Sequence, residues 1–297
     1  MNHISVMLKE TVDALNIKAG DIVLDGTLGG GGHTEEIVKR FGDKVKVIGL
    51  DLDLDALKRA KERVSVYDHD TVFKVANFKD ANTVLDDMGI EEINSAMLDL
   101  GLSSFQLEVA GRGFSFQKDE PLMMTMKKDP TDSEITASDI VNTWSESTLS
   151  DIIFLYGEER YARRIAKAIV SERTKKPIET TFELVSVIER AVGKSYGKSK
   201  IHPATRTFQA LRIAVNSELS SIEYAIPSIF GELAPKGRLA IISFHSLEDR
   251  IVKNQFKTLN DNKEGKIITK KPLLPTKEEI INNPRSRSAK LRIIEKI

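Results

Sequence analysis

Short apolar runs punctuated by polar turns fill the first hundred residues. Residues 21–25 (Asp-Ile-Val-Leu-Asp), 46–50 (Lys-Val-Ile-Gly-Leu), 71–76 and 95–98 (Ser-Ala-Met-Leu) are each too short for a helix, which predicts four strands. Amphipathic stretches separate them. Residues 33–41 place Ile37, Val38 and Phe41 on one face, with Thr34, Glu35 and Glu36 in the first turn, and further helices are expected over about 54–64 and 79–88. Strands alternating with helices at this spacing predict a parallel sheet with right-handed crossovers.

The pattern breaks after the fourth strand. Residues 107–135 are irregular and rich in Gly, Pro and Met, and residues 136–200 read as amphipathic helices without a strand, among them 157–172 and 180–191. In the first of these Ile165, Ala168 and Ile169 oppose Arg163, Arg164 and Lys167. The sheet pattern then resumes with a long helix over 204–223, limited by Pro227, a buried strand at 238–244, a helix at 246–257 and strands at 266–270 and 290–296. The expected organisation is one α/β domain (1–106 and 211–297) interrupted by a helical insertion (107–210), with no internal repeat.

Composition narrows the function. The 297 residues are 40% hydrophobic and 30% charged, as in ordinary globular proteins. No apolar run approaches the roughly 18 residues that would span a bilayer, and the N-terminus does not read as a signal peptide, so a cytoplasmic location is expected. The absence of cysteine excludes disulfides, thiolate zinc sites and a cysteine nucleophile. The net charge of zero conceals a separation: residues 1–150 hold 16 Lys/Arg against 27 Asp/Glu, residues 151–213 hold 13 against 7, and residues 214–297 hold 15 against 10. The basic parts could face a polyanion, although charge runs are more often solvated faces.

Candidate chemistry gathers at the predicted strand ends. Asp25-Gly-Thr-Leu-Gly-Gly-Gly-Gly-His33 is a glycine-rich turn opening a helix, a place where backbone N–H groups can approach a ligand. Asp51 ends the second strand and can accept both hydroxyls of a ribose; Asp51, Asp53 or Asp55 could instead cap the next helix, and Asp51 is assigned to the ligand and Asp55 to the cap. The third strand ends in Asn77-Phe78, suited to an adenine ring, and the fourth in Asp99-Leu-Gly-Leu-Ser-Ser-Phe-Gln106. Open α/β sheets bind ligands at these ends. A nicotinamide dehydrogenase uses a similar turn and acid. However, here Asp25 directly precedes Gly26 and four glycines run from 29 to 32, unlike the pyrophosphate pattern, so a phosphate-free nucleoside such as S-adenosylmethionine also fits. Asp25 would then order the turn or meet the ammonium of the methionine part. A non-catalytic RNA-binding module is a third reading.

The chain resembles the ribosomal RNA small subunit methyltransferase H family over nearly its whole length. The motifs that carry the resemblance are His3 to Glu10, Asp25 to His33, Asp99 to Gln106, Arg112-Gly-Phe-Ser-Phe116, Gly157 to Arg164, His202 to Arg212, Ser243 to Arg250 and Asn283 to Lys290. The resemblance implies a Rossmann-like class I methyltransferase sheet with a helical insertion, and methylation of N4 of a cytosine in 16S rRNA. It implies S-adenosylmethionine contacts at Gly31, Gly32, His33, Asp51, Phe78, Asp99 and Gln106. The chain departs from the family pattern at Met123 and Thr125, where an acid and a basic residue are usual.

The remaining candidates have bland alternatives. His33 could cap a helix, and His245 reads more readily as a structural hydrogen-bonding group than as a catalytic one. His202 suits a structural or an RNA role equally, and the three histidines are too scattered for a metal triad, so no metal is expected. Phe114 and Phe116 could stack on a base but are more often core. RNA contacts are expected at Ser103, Ser104, Arg163, Arg164, Lys198, Lys200 and Arg206, within a wider basic group that includes Arg160, Lys167, Arg173, Lys175, Lys176 and Lys194. Asp99 is the candidate catalytic acceptor for an amino group presented from single-stranded or remodelled RNA. Carbon-5 methylation of cytosine generally needs a cysteine adduct, so the missing cysteine favours nitrogen or oxygen as acceptor. The partner is expected to be 16S rRNA or the small subunit, and the sequence does not distinguish monomer from homodimer.

Overall fold

The computed structural model describes residues 4–101, 105, 111–127, 130–131, 134–196 and 201–297. Gln106, Ser103, Ser104, Lys198 and Lys200 lie outside the described residues. The chain forms two compact units, 1–101 with 219–297, and 102–218.

The first unit is built on β1 (Ile22–Asp25), β2 (Lys46–Asp51), β3 (Asp70–Val75), β4 (Ile93–Asp99), β5 (Leu233–Ser243), β6 (Gly265–Ile267) and β7 (Lys290–Lys296). They form a seven-stranded mixed sheet in the order β3-β2-β1-β4-β5-β7-β6. β1 to β5 run parallel, and β7 lies antiparallel between β5 and β6. Successive side chains point to opposite faces of a strand, and both faces are covered. Val23, Val47, Met97, Ala240 and Ile242 share a core with α1 (Leu8–Leu15) and α2 (Gly32–Phe41). Their neighbours Leu24, Ile48, Leu98, Leu239 and Ile241 pack instead with α4 (Ala81–Asp87), α10 (Glu218–Gly231) and α11 (Ser246–Asp261). The helix α3 (Leu54–Val64) follows β2.

The second unit contains α5 (Ala137–Thr143), α6 (Glu146–Leu155), α7 (Ala162–Arg173), α8 (Thr181–Val192) and α9 (Ala204–Asn216) around their own core, which includes Phe114, Leu122 and Met124. Among the described residues it has no strand longer than a single bridge, Pro121 with Thr180.

Four sequence expectations need correction. The helix expected over 204–223 is two helices, because Ser217 adopts the left-handed conformation (φ 49°) between them. The Arg212 guanidinium forks onto both carboxylate oxygens of Glu218 across this break, at 2.8 and 2.7 Å. Pro227 lies inside α10 rather than limiting it. The Glu223 carbonyl that Pro227 cannot bond instead accepts Gln255 Nε2 at 3.5 Å. The helix expected from 157 begins only at Ala162, since Glu158 has a positive φ of 49°. The cap of α3 is Asp53, whose carboxylate accepts the Asp55 N–H at 2.9 Å; Asp55 sits in the first turn.

Candidate active site

The carboxyl ends of β1, β2 and β4 are tied together by the turn that follows β1. The Gly26 N–H donates to the Met97 carbonyl (3.0 Å) and the Leu28 N–H to that of Leu50 (2.9 Å). The Asp99 N–H donates to Thr27 Oγ1 at 2.6 Å. Three acids meet there. Asp25 is buried; its carboxylate accepts Thr34 Oγ1 at 2.7 Å and the Thr27 N–H at 3.3 Å, so it orders the turn. Asp51 accepts the N–H of Gly29 on one oxygen and of Asp53 on the other, each at 2.8 Å. A carboxylate has about four acceptor positions, so both oxygens keep capacity for a ligand hydroxyl. Asp99 accepts only a long bond from the Gly101 N–H, 3.3 Å, among the contacts described.

Burial makes these acids unusual. Desolvation, reinforced by the neighbouring Asp51, raises Asp25 to about 6. Desolvation raises Asp99 to about 7, with Asp25 and Glu248 adding like-charge repulsion. Asp51 is also raised, mainly by desolvation. Asp99 nevertheless keeps part of its surface open, so it is deep among protein atoms yet reachable. A cationic group bound beside these acids would favour their ionised forms.

The glycines are where backbone must come close. Gly31 has φ +74°, and a Cβ there would lie 2.8 Å from the Ala60 Cβ of α3. A Cβ on Gly32 would meet Ser5 Oγ at 2.0 Å. α2 begins at Gly32, with Gly31 as its cap; the N–H groups of a first helical turn have no partner within the helix. His33 is inside α2, not capping it, and its buried Nε2 donates to the Val6 carbonyl at 3.1 Å. Phe78 opens a short 3-10 turn capped by Asn77 and is half-buried beside Gly26. Sequence reasoning missed the strap formed by residues 4–7. Met7 donates its N–H to Glu279 Oε1 (2.6 Å), and Asn283 Nδ2 donates to the Ile4 carbonyl (3.1 Å). The only signal for it was the motif His3 to Glu10.

His245 is the cap of α11. Its Nδ1 accepts the Glu248 N–H at 3.4 Å, while Glu248 reaches back to the N–H of His245 at 3.2 Å. This is the structural role the sequence favoured.

In the second unit Arg163 and Arg164 are exposed on α7, with Lys167 on the same helix. Arg160 and Arg164 lie 4.8 and 5.6 Å from the centroid of the Tyr161 ring. Arg206 donates to the Glu158 carbonyl at 2.9 Å. Arg173 serves the fold by bonding the Val141 carbonyl, and Lys175 and Lys176 pair with Glu172 and Glu183. Phe114 is core, whereas half-buried Phe116 stacks on His202 with ring centroids 4.7 Å apart.

The profile of the MraW methylase family matches residues 1–297. The chain belongs to the MraW methylase family. Ribosomal RNA small subunit methyltransferase H of Clostridioides difficile (strain 630) is 48% identical over 311 residues, spanning 100% of this chain and 99% of the relative. Its counterpart in Clostridium botulinum (strain Kyoto / Type A2) is 46% identical, spanning 99% of each. Among solved structures, SMU.1697c of Streptococcus mutans in complex with SAH shares 15% identity at a TM-score of 0.48, covering 99% of each chain.

Met123 and Thr125, where the resemblance implied an acid and a basic residue, fall in a packed loop of the second unit. Thr125 is buried and its hydroxyl donates to the Lys127 carbonyl at 2.9 Å, while the Met123 carbonyl accepts the Ala137 N–H at 2.9 Å. Both positions serve the local backbone.

Proposed function

We propose that this protein methylates the N4 amino group of a cytosine in 16S rRNA, with S-adenosylmethionine as methyl donor. Family membership makes it a methyltransferase. The observation that carries the donor assignment is the set of three desolvated acids at the ends of β1, β2 and β4 beside a turn in which Gly31 and Gly32 leave no room for side chains. A ligand with one end cationic and a ribose at the other suits that set. Gly31, Gly32 and the first-turn N–H groups would hold the methionine carboxylate, Asp25 or Asp99 its ammonium side, Asp51 the ribose hydroxyls, and Phe78 the adenine. Gln106 belongs to the same expected set. S-adenosylmethionine supplies a methyl group on a positively charged sulfur.

The chain's own part is positioning and electrostatics. The exocyclic amine of cytosine is a poor nucleophile because its lone pair delocalises into the ring. Asp99 accepts a hydrogen bond from that amine, localises the pair and offsets the positive charge that develops on nitrogen. The second unit takes the RNA through Arg163, Arg164 and Arg206. The names of the relatives support a ribosomal RNA substrate, and a cytoplasmic location fits that reading; among the described residues no helix is long and apolar enough to cross a membrane. The test is transfer of labelled methyl to small-subunit RNA followed by mapping of the product nucleotide. Label on another base, or on the ribose, would refute the assignment.

A further inference from the structure

The charge of the first unit is divided by position. Its segment 1–101 holds 12 Lys/Arg against 19 Asp/Glu, whereas residues 262–290 hold 8 against 3. Register fixes where that basic stretch lies. Ser243, the last residue of β5, pairs with Lys290, the first of β7. Because β1, β2, β4 and β5 are parallel, the turn at 284–288 lies at the same sheet edge as Asp25, Asp51 and Asp99. Leu273 and Leu291 exchange two backbone bonds, 2.9 and 3.0 Å, which brings residues 270–273 to that edge too. The strap described above links Glu279 and Asn283 through residues 4–7 to His33 and the glycine turn.

Two cations there are used internally: Lys290 and Arg292 pair with Asp249 at 2.9 and 2.7 Å. Lys270, Lys271, Lys277 and Arg287 are exposed, and none has a carboxylate within ion-pair distance among the described residues. Asp25, Asp51 and Asp99 stand at that same end of the sheet, so a phosphate-bearing substrate approaching it gains from cationic side chains nearby.

We infer that Lys270, Lys271, Lys277 and Arg287 form a second RNA-binding surface, on the methyltransferase unit itself, that holds the phosphodiester backbone of single-stranded RNA flanking the target nucleotide. The inference rests on the RNA reading above. It divides labour: the acidic floor holds the cationic donor and the basic rim holds the anionic acceptor strand.

The experiment compares wild type, the triple variant Lys270→Glu/Lys271→Glu/Arg287→Glu, and Arg163→Glu/Arg164→Glu. Binding of fluorescein-labelled single-stranded RNA is measured by anisotropy across a potassium chloride series, and S-adenosylmethionine binding by calorimetry. The triple variant is expected to lose roughly tenfold or more in RNA affinity, and its salt slope to fall by roughly 0.7 for each phosphate contact removed, with donor affinity unchanged. If charge reversal impairs folding, the milder Lys271→Ala/Arg287→Ala pair should still lower the slope. Unchanged affinity and slope in a folded triple variant, with Arg163→Glu/Arg164→Glu weakened, would overturn this surface while leaving the RNA reading intact. A defect seen only with assembled subunits, and not with protein-free RNA, would assign the patch to a protein contact and overturn it as well. Absence of RNA binding by wild type would overturn both.

Discussion

Asp99 and Asp51 have opposite relations to their neighbours, and that difference sorts their expected roles. Asp51 already holds two backbone N–H groups, so Asp51→Ala should weaken S-adenosylmethionine binding and also loosen the turn; calorimetry on a folded variant with unchanged affinity would refute the ribose role. Among the described residues the Asp99 carboxylate accepts one long bond, so it contributes little to the fold there. Asp99→Asn should therefore leave stability nearly unchanged while single-turnover methyl transfer falls by roughly two orders of magnitude, the usual scale for losing an electrostatic partner of the transition state. A near-normal single-turnover rate would remove Asp99 from the chemistry. The raised acids also predict a pH dependence. With Asp25 at about 6 and Asp99 at about 7, the free protein holds protons that a cationic ligand must expel. Donor affinity should rise with pH and level off above about 7. Stability of the free protein has the opposite sign: the folded state binds more protons than the unfolded chain between about 4 and 7, so folding weakens as pH rises through that window. Affinity titrations and denaturant midpoints across it check both; a flat affinity profile would contradict the acidic-floor account.

At the scale of elements, the turn between β1 and α2 is the least forgiving part. Gly31→Ala combines a left-handed backbone with a Cβ pressed 2.9 Å from the Ala60 Cα of a helix that cannot easily move, and should cost about 1–3 kcal/mol. A thermal midpoint equal to wild type would disprove this. Elements of this kind were legible in the sequence because strand ends, glycines and acids are local signals. β1, β2 and α3 fall within a residue or so of the expected ranges, and the acids stand at the ends of the strands that carry them. What escaped depends on contacts distant in sequence. The break at Ser217 is a single positive φ held by an ion pair, Pro227 is tolerated because a glutamine from another helix meets the orphaned carbonyl, and the strap 4–7 is anchored by residues more than 270 positions away. No periodicity reports such bonds. The capping of α3 by Asp53 instead of Asp55 was a choice among three acids that spacing alone left open.

For the molecule as a whole, the charge asymmetry seen along the sequence does not separate the two units. The first holds 27 Lys/Arg and 28 Asp/Glu, the second 17 and 16. The asymmetry instead runs within each, so RNA affinity should depend on local faces rather than net charge. Arg163→Glu/Arg164→Glu should lower RNA affinity and its salt dependence while sparing donor binding; an unchanged salt slope would exclude the α7 face. The position of β7 has a further consequence, which concerns biosynthesis. It follows every other strand in the chain, yet it sits between β5 and β6 in the sheet. While the chain is growing, Leu239 and Ile241 therefore stand on an open, apolar sheet edge, a template for pairing with another chain. A nascent chain stalled before Lys290 should depend on holding chaperones to avoid pairing with other chains, because between the synthesis of β5 and that of β7 this edge has no partner of its own.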